Sequence, residues 1–171
     1  MSLGLYLHIP YCFSKCRYCD FYSHPGERGV PDAYVKALVR ELARFAPERP
    51  LQPDTLYFGG GTPSLLRPEQ AKRLIDAARP MPGAEITLEA NPETVTEQSL
   101  AGFREAGVNR ISFGVQSARD TQLRTLGRPH TAKQARAAFA AARRAGFANI
   151  SGDIMLALPH YTEAEFDVTL E

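Results

Sequence analysis

Residues 3–19, Leu3-Gly-Leu-Tyr-Leu-His-Ile-Pro-Tyr-Cys12-Phe-Ser-Lys-Cys16-Arg-Tyr-Cys19, contain the features that decide the fold of this chain. The apolar run over residues 3–8 predicts a buried β-strand. Three cysteines with C-x₃-C-x₂-C spacing follow it directly, and they are the only cysteines among the 171 residues. A secreted disulfide scaffold would carry an even number of cysteines spread along the chain. The clustered spacing therefore indicates a metal centre at the end of the first strand.

Outward from this stretch, short β-rich runs alternate with longer amphipathic segments. This alternation predicts repeated β-α units and an α/β fold with a parallel sheet. The predicted strands cover residues 3–8, 55–58, 86–90, 108–113 and 150–156. Helices are expected to begin at Asp32, near Pro68 and at a capping box over residues 94–97, and an alanine-rich helix is expected to end at Gly146.

The number of β-α units predicts an incomplete barrel. Five units can form an open, curved sheet, but they cannot close an eightfold barrel. A further capping box at residues 162–165 begins a helix only a few residues before Glu171. We therefore expect residues 1–171 to be the N-terminal part of a core domain whose remaining barrel and C-terminal domain are absent.

Charge and hydropathy exclude several classes of protein. The formal net charge is +1, with basic and acidic residues interspersed, so there is no electrostatic footprint for nucleic acid or an anionic membrane. The N-terminal segment lacks a basic region followed by an apolar run and a small-residue cleavage site, and no later stretch approaches a membrane span. These observations predict a cytoplasmic protein that does not bind nucleic acid.

The cysteine spacing also predicts which metal centre is present. Three thiolates can ligate three irons of a cubane [4Fe–4S] cluster, which leaves the fourth iron open to a small molecule. S-adenosylmethionine (SAM) suits such an iron, because its amino and carboxylate groups can chelate it. A Cys₃His zinc site with His8 or His24 is an alternative, although no second couple of short-spaced ligands is present in the sequence. Three unliganded core cysteines are a further alternative.

Motifs along nearly the whole chain carry a family resemblance. The first motif is Tyr6-Leu-His8-Ile-Pro10-Tyr-Cys12 with Cys16, Tyr18, Cys19 and Asp20-Phe21. The later motifs are Gly59-Gly60-Gly61-Thr62-Pro63-Ser64, Glu89-Ala-Asn91-Pro92, Gly114-Val-Gln116-Ser117, Leu126-Gly127-Arg128 and Asp153. With them the chain resembles the radical SAM proteins related to oxygen-independent coproporphyrinogen III oxidase. The resemblance implies a partial (β/α)₆-type, TIM-like radical SAM barrel.

Four residues depart from common patterns of these proteins. The true oxidases characteristically have a further cysteine two residues after the third ligand, and this chain has Phe21 there. The chain therefore looks closest to the heme-chaperone branch. Ala157 stands where the family commonly has glycine, and His160-Tyr161 replaces the usual Gly-Gln.

The resemblance also implies roles for individual residues. It assigns Cys12, Cys16 and Cys19 to the cluster and Arg128 to the SAM carboxylate, which a planar guanidinium suits. The strand alternation directs the Glu89 carboxylate into the barrel mouth, where SAM would partner it. The other residues expected to bind SAM or adjoin the cluster are Tyr6, Tyr18, Gly60, Gly61, Thr62, Gln116, Asp153 and Met155. Tyr18, with His8 and Phe21, is expected to shield the cluster from water, whereas His130 and His160 are left unassigned.

The resemblance implies a heme chaperone that binds a [4Fe–4S] cluster and SAM and delivers heme to hemoproteins. Its expected partners are SAM, heme or a porphyrin precursor, an electron donor for the cluster and recipient hemoproteins. The alternative is an oxygen-independent coproporphyrinogen III oxidase, which oxidatively decarboxylates propionates in porphyrin biosynthesis. A third possibility is a structural fragment that needs its C-terminal portion to work.

Overall fold

The structure, a computed structural model, describes residues 2–45, 51–158 and 162–170. Its strands are β1 Gly4–Ile9, β2 Tyr11–Cys12, β3 His24–Pro25, β4 Thr55–Gly60, β5 Glu85–Ala90, β6 Arg110–Gln116 and β7 Asn149–Ile154. Five of them form one parallel sheet in the order β1-β4-β5-β6-β7, and β2 pairs with β3 separately. Each β-α unit thus adds a strand beside the previous one, which confirms the predicted α/β fold.

Among the described residues, five helices occupy the intervals between the strands of the large sheet and a sixth follows β7. They are α1 Asp32–Phe45, α2 Pro68–Ala78, α3 Glu97–Ala106, α4 Asp120–Leu126, α5 Ala132–Arg144 and α6 Glu163–Leu170. The predicted starts at Asp32 and near Pro68 are confirmed, and Gly146 follows α5 with a left-handed φ of 90°. Among the described residues, no helix is long and apolar enough to cross a bilayer.

The prediction of a capping box at residues 94–97 is wrong, because it places the helix start two residues too early. Thr96 is the N-cap of α3: its hydroxyl accepts a hydrogen bond from Ser99 N at 3.1 Å, and Ser99 Oγ accepts one from Thr96 N at 2.9 Å. Thr94 instead ends a 3₁₀ turn, Pro92–Thr94. The proline begins this turn, so the α-helix starts only after it.

The hydrophobic core lies between the sheet and the helices that pack against it. Leu88 of β5 and Phe113 of β6 are fully buried there. Side chains alternate across a strand, so the residues between the core positions lie on the opposite face. Tyr57, Glu89 and Ser112 occupy such positions. This second face carries the polar residues of the candidate site.

Irregular backbone shapes the carboxyl end of the last two strands. The register of β6 against β7 shifts between Gly114 and Gln116, and β7 ends at Ile154, two residues short of the predicted end. Ala157 has a φ of 54°, a left-handed conformation that glycine adopts without strain and alanine does not. This conformation would suit the glycine that the family resemblance leads us to expect there. The His160-Tyr161 departure lies outside the described residues.

Candidate cofactor site

The carboxyl ends of the parallel strands surround a cavity of about 310 Å³. This is the edge of the sheet at which β/α barrels carry their chemistry. Most of the predicted site residues line the cavity: Cys12, Cys16, Tyr18, Cys19, Gly60, Gly61, Thr62, Glu89, Gln116, Arg128 and Asp153. Tyr6 and Met155 do not line it. The topology therefore gathers polar groups from the whole length of the chain at one place.

Backbone hydrogen bonds shape the cysteine loop. Cys19 N donates to Cys16 O at 3.2 Å, and Arg17 N donates to Leu126 O at 3.0 Å, which attaches the loop to the end of α4. Cys12 is buried, the other two cysteines are half-buried, and all three are free thiols. The backbone therefore holds the three cysteines on the cavity wall.

The glycine-rich turn after β4 packs closely against this loop. Gly60 has a φ of 114°, which favours glycine. A Cβ atom on Gly61 would lie 2.7 Å from Tyr11 O and 2.9 Å from Cys12 Sγ. A backbone oxygen cannot move aside as a flexible side chain can. The third glycine is therefore required by its contact with the cysteine loop.

Gly61→Ala is expected to lower the free energy of unfolding by about 1–3 kcal/mol, because the added methyl group overpacks the turn. We also expect less iron per chain after reconstitution, since Cys12 would be displaced. Denaturant unfolding and iron analysis measure the two effects. Gly29→Ala is the matched control, because its Cβ would meet its nearest atom, Leu65 O, at an ordinary 3.9 Å. Equal free energies of unfolding and equal iron contents for the two variants would contradict the requirement for glycine at position 61.

Glu89 at the end of β5 faces the cavity from a partly buried position. Its Oε1 accepts a hydrogen bond from Tyr57 Oη at 2.8 Å, and its Oε2 accepts one from Gly60 N at 3.2 Å. Burial raises the pKa of the Glu89 carboxyl, and the neighbouring Asp153 raises it further, while the two hydrogen bonds oppose the rise. The carboxylate is oriented by two donors and retains acceptor capacity toward the cavity.

Arg128, after α4, is buried with its guanidinium among the cavity residues. Its Nη2 donates to Asn91 Oδ1 at 2.7 Å and to Gly114 O at 2.5 Å, and its Nη1 donates to Cys16 Sγ at 3.5 Å. Burial by itself lowers the pKa of Arg128, but the neighbouring Tyr18 and the hydrogen bond to Cys16 outweigh it, so the pKa is raised. Its buried Nε has no hydrogen-bond partner among the described residues. An unpaired buried donor of this kind fits an anionic ligand such as a carboxylate.

The bulge between β6 and β7 places three further residues at the cavity. Gln116 has a φ of 67°, a strained conformation for a residue with a side chain. Asp153 Oδ1 accepts a hydrogen bond from Ser112 Oγ at 3.3 Å. A Cβ atom on Gly114 would lie 2.8 Å from Arg128 Nη2. Gly114 therefore permits the close approach of the guanidinium to the strand.

Residues 6–171 match the radical SAM superfamily. The chain belongs to this superfamily. It is 43% identical over 165 residues to the heme chaperone HemW of Escherichia coli (strain K12) and 41% identical over 164 residues to that of Bacillus subtilis (strain 168). Each match covers 92% of this chain and 43% of the relative, so the chain spans less than half the length of these curated relatives. The resemblance found in the motifs is confirmed.

Solved structures of other proteins confirm the fold. The coproporphyrinogen III oxidase HemN from Escherichia coli, a radical SAM enzyme, matches with a TM-score of 0.88 at 31% identity, over 99% of this chain and 40% of the other. HydG, a maturase of the [FeFe]-hydrogenase, matches with a TM-score of 0.69 at 15% identity, over 99% of this chain and 38% of the other. The second likeness concerns the fold alone. The chain therefore has the architecture of part of a radical SAM barrel.

The radical SAM superfamily implies a [4Fe–4S] cluster and SAM, and the three cysteines that would hold the cluster line one cavity. In the described ranges, no three His, Cys, Asp or Glu side chains are grouped to hold one metal ion, as a tetrahedral zinc site requires. A cubane has no such requirement, because each thiolate ligates a different iron. His8, one candidate for a fourth zinc ligand, has its Nε2 at 2.9 Å from Tyr22 O. The assignment of the three cysteines to a cluster therefore rests on their spacing and on the superfamily.

The raised pKa of Glu89 predicts how SAM binding depends on pH. We expect SAM affinity to weaken as the pH falls through this pKa, because the protonated carboxyl loses the charge that attracts the SAM ammonium. Glu89→Gln should bind SAM roughly tenfold or more weakly at neutral pH and should lack this pH dependence. Calorimetric titration of the reconstituted full-length protein with SAM measures both effects. Glu85→Gln, at the exposed amino end of β5, is the control, and its SAM affinity and the pH dependence of that affinity should match those of the wild type.

Three residues that were predicted to contact SAM or the cluster, Tyr6, Tyr18 and Met155, lie at or near the cavity. Tyr18 lines it, and burial raises the pKa of Tyr18 to about 12. The ring of Tyr6 stacks with that of Tyr57 at a centroid distance of 6.0 Å, and Tyr57 in turn contacts Glu89. Met155 N donates to Gln116 O at 3.0 Å, at the end of β7. The contacts of Tyr6 and Met155 with SAM stay predictions.

Asn91 lines the cavity and His130 braces the segments beside it, yet the sequence analysis assigned neither residue a role. Asn91 follows β5 and lines the cavity. His130 is buried, with Nδ1 at 3.2 Å from Glu93 Oε2 and Nε2 at 3.2 Å from Val115 O. It thereby ties the Pro92–Thr94 turn to β6. Only the position of Asn91, just past a strand end, could have indicated a functional residue.

Proposed function

We propose that the chain is the N-terminal part of the radical SAM core of a cytoplasmic heme chaperone, which binds a [4Fe–4S] cluster and SAM and delivers heme to hemoproteins. The observation that carries this proposal is Phe21. Its side chain lines the cavity and is 69% exposed, at the position where the related oxidases have a cysteine. The 43% identity to a heme chaperone, against 31% to the matched oxidase, supports the same choice.

In this proposal different residues of the cavity bind the cluster and SAM. Cys12, Cys16 and Cys19 hold the cluster, which when bound supplies single electrons to SAM from an external electron donor. Arg128 binds the SAM carboxylate, and Glu89 accepts hydrogen bonds from its ammonium or ribose hydroxyls. The partners are heme and recipient hemoproteins, and nucleic acid is not among them.

Heme transfer by the reconstituted full-length protein tests the proposal. We expect saturable heme binding in a spectroscopic titration and transfer of that heme to an apo-hemoprotein. Incubation of the reduced protein with SAM and coproporphyrinogen III should leave the porphyrinogen unchanged. Formation of protoporphyrinogen IX would establish the oxidase instead, the alternative that the TM-score of 0.88 to the HemN structure favours. Stoichiometric zinc in place of iron would overturn both functions.

A further inference from the structure

Two of the three cysteine sulfurs accept a side-chain hydrogen bond. Arg128 Nη1 donates to Cys16 Sγ at 3.5 Å, and Thr62 Oγ1 donates to Cys12 Sγ at 3.6 Å. Among the described residues, no side-chain donor reaches Cys19 Sγ. Hydrogen bonds to ligand sulfurs are one of the means by which a protein sets the reduction potential of an iron–sulfur cluster. The two donors are therefore placed to affect any cluster held here.

Asn91 connects these two donors. Its Oδ1 accepts from Arg128 Nη2 at 2.7 Å, and its Nδ2 donates to Thr62 Oγ1 at 3.2 Å. Only one orientation of the amide is possible, because a guanidinium has no acceptor and its partner must be the oxygen. The amide nitrogen then occupies a lone pair of the Thr62 hydroxyl and leaves its proton to point at Cys12. One side chain thus orients the donors to both sulfurs.

The backbone of Asn91 is fixed independently of its side chain. Asn91 N donates to Ser64 Oγ at 3.3 Å, and Asn91 O accepts from Thr94 Oγ1 at 2.8 Å. Pro92 restricts the preceding residue to extended conformations, and Asn91 has φ −96° and ψ 140°. The amide caps no backbone donor of the turn that follows. Removing the amide is therefore compatible with an intact strand end.

We propose that Asn91 is a positioning residue that raises the reduction potential of the cluster by directing Thr62 toward Cys12 and Arg128 toward Cys16. The inference rests on the proposed cluster site, and it concerns how easily the cluster is reduced. Without Asn91, Thr62 is free to turn its hydroxyl proton away and Arg128 loses one of its anchors. Electron density on the two ligand sulfurs then increases, and the oxidised cluster is favoured.

Redox titration of the reconstituted full-length protein, followed by electron paramagnetic resonance in the absence of SAM, tests the proposal. We expect Asn91→Ala to hold as much iron as the wild type and to titrate at a lower potential. Asn109→Ala is the matched control: Asn109 is a partly buried asparagine whose amide bonds Ile86 N and Ala84 O at the opposite end of the sheet. It should lose stability without a shift in potential.

A double-mutant cycle with Thr62→Val separates positioning from a general structural effect. If Asn91 acts through Thr62, Asn91→Ala shifts the potential less in the Thr62→Val background than alone. If Asn91→Ala loses iron, Asn91→Ser is titrated in its place. An unchanged potential in the iron-loaded Asn91 variant, or additive shifts in the cycle, would overturn the proposal. Failure of the wild type to bind iron would instead overturn the proposed function.

Discussion

Cys19→Ala is expected to abolish assembly of a four-iron cluster, with iron falling from about four per chain to well below one. Two thiolates cannot hold a cubane that already has only three protein ligands. Among the described residues, Cys19 Sγ receives no side-chain hydrogen bond, so its removal leaves no orphaned donor. The expected loss therefore reports ligation and not a collapse of the surrounding network. Iron and sulfide analysis and visible absorption after anaerobic reconstitution measure it.

Ser14→Ala is the control for the cysteine variant, because Ser14 lies in the same loop and lines the same cavity. It should retain a full complement of iron. Circular dichroism of both variants checks that the fold is intact. A Cys19→Ala protein with four irons per chain would show that this cysteine is not a ligand, and a Ser14→Ala protein without iron would assign the loss to the loop as a whole.

Arg128→Met is expected to weaken SAM binding by roughly 10- to 100-fold. A hydrogen bond to a charged group contributes about 1.5–3 kcal/mol, and each 1.4 kcal/mol corresponds to about a factor of ten in the dissociation constant. The substitution also leaves Asn91 Oδ1 and Gly114 O without their donor, which should lower the free energy of unfolding by about 1–3 kcal/mol. Arg128→Lys keeps the charge but not the planar fork, so its SAM affinity and its free energy of unfolding should lie between those of the wild type and of Arg128→Met.

Calorimetric titration of the reconstituted full-length protein with SAM, and denaturant unfolding, measure the effects of Arg128→Met. Arg124→Met is the control, since Arg124 is exposed in the last turn of α4. Its SAM dissociation constant should match that of the wild type. An Arg128→Met protein that binds SAM as tightly as the wild type would show that the guanidinium does not bind SAM.

The sequence predicted the elements of the fold better than their ends. The five strands of the sheet and their parallel order follow from apolar runs that alternate with amphipathic segments, a pattern set by burial on the sheet. The ends depend on single backbone conformations. β7 stops before Met155 because of the bulge at Gly114 and the left-handed Ala157 nearby, and α3 begins at Glu97 because Pro92 imposes a turn before it.

By itself, the sequence determined the class of protein and predicted the cluster ligands. Spacing within one loop is a local property, so three clustered cysteines after a strand indicate a metal centre before any folding is considered. Which other side chains contact these cysteines depends on how distant segments pack together. Asn91 Oδ1 meets Arg128, and its amide nitrogen meets Thr62, only because the ends of β4 and β5 and the segment after α4 converge at one edge of the sheet. Tertiary structure alone decided which donors reach the sulfurs, since a hydrogen bond requires a few ångströms and a direction, and neither is encoded in spacing.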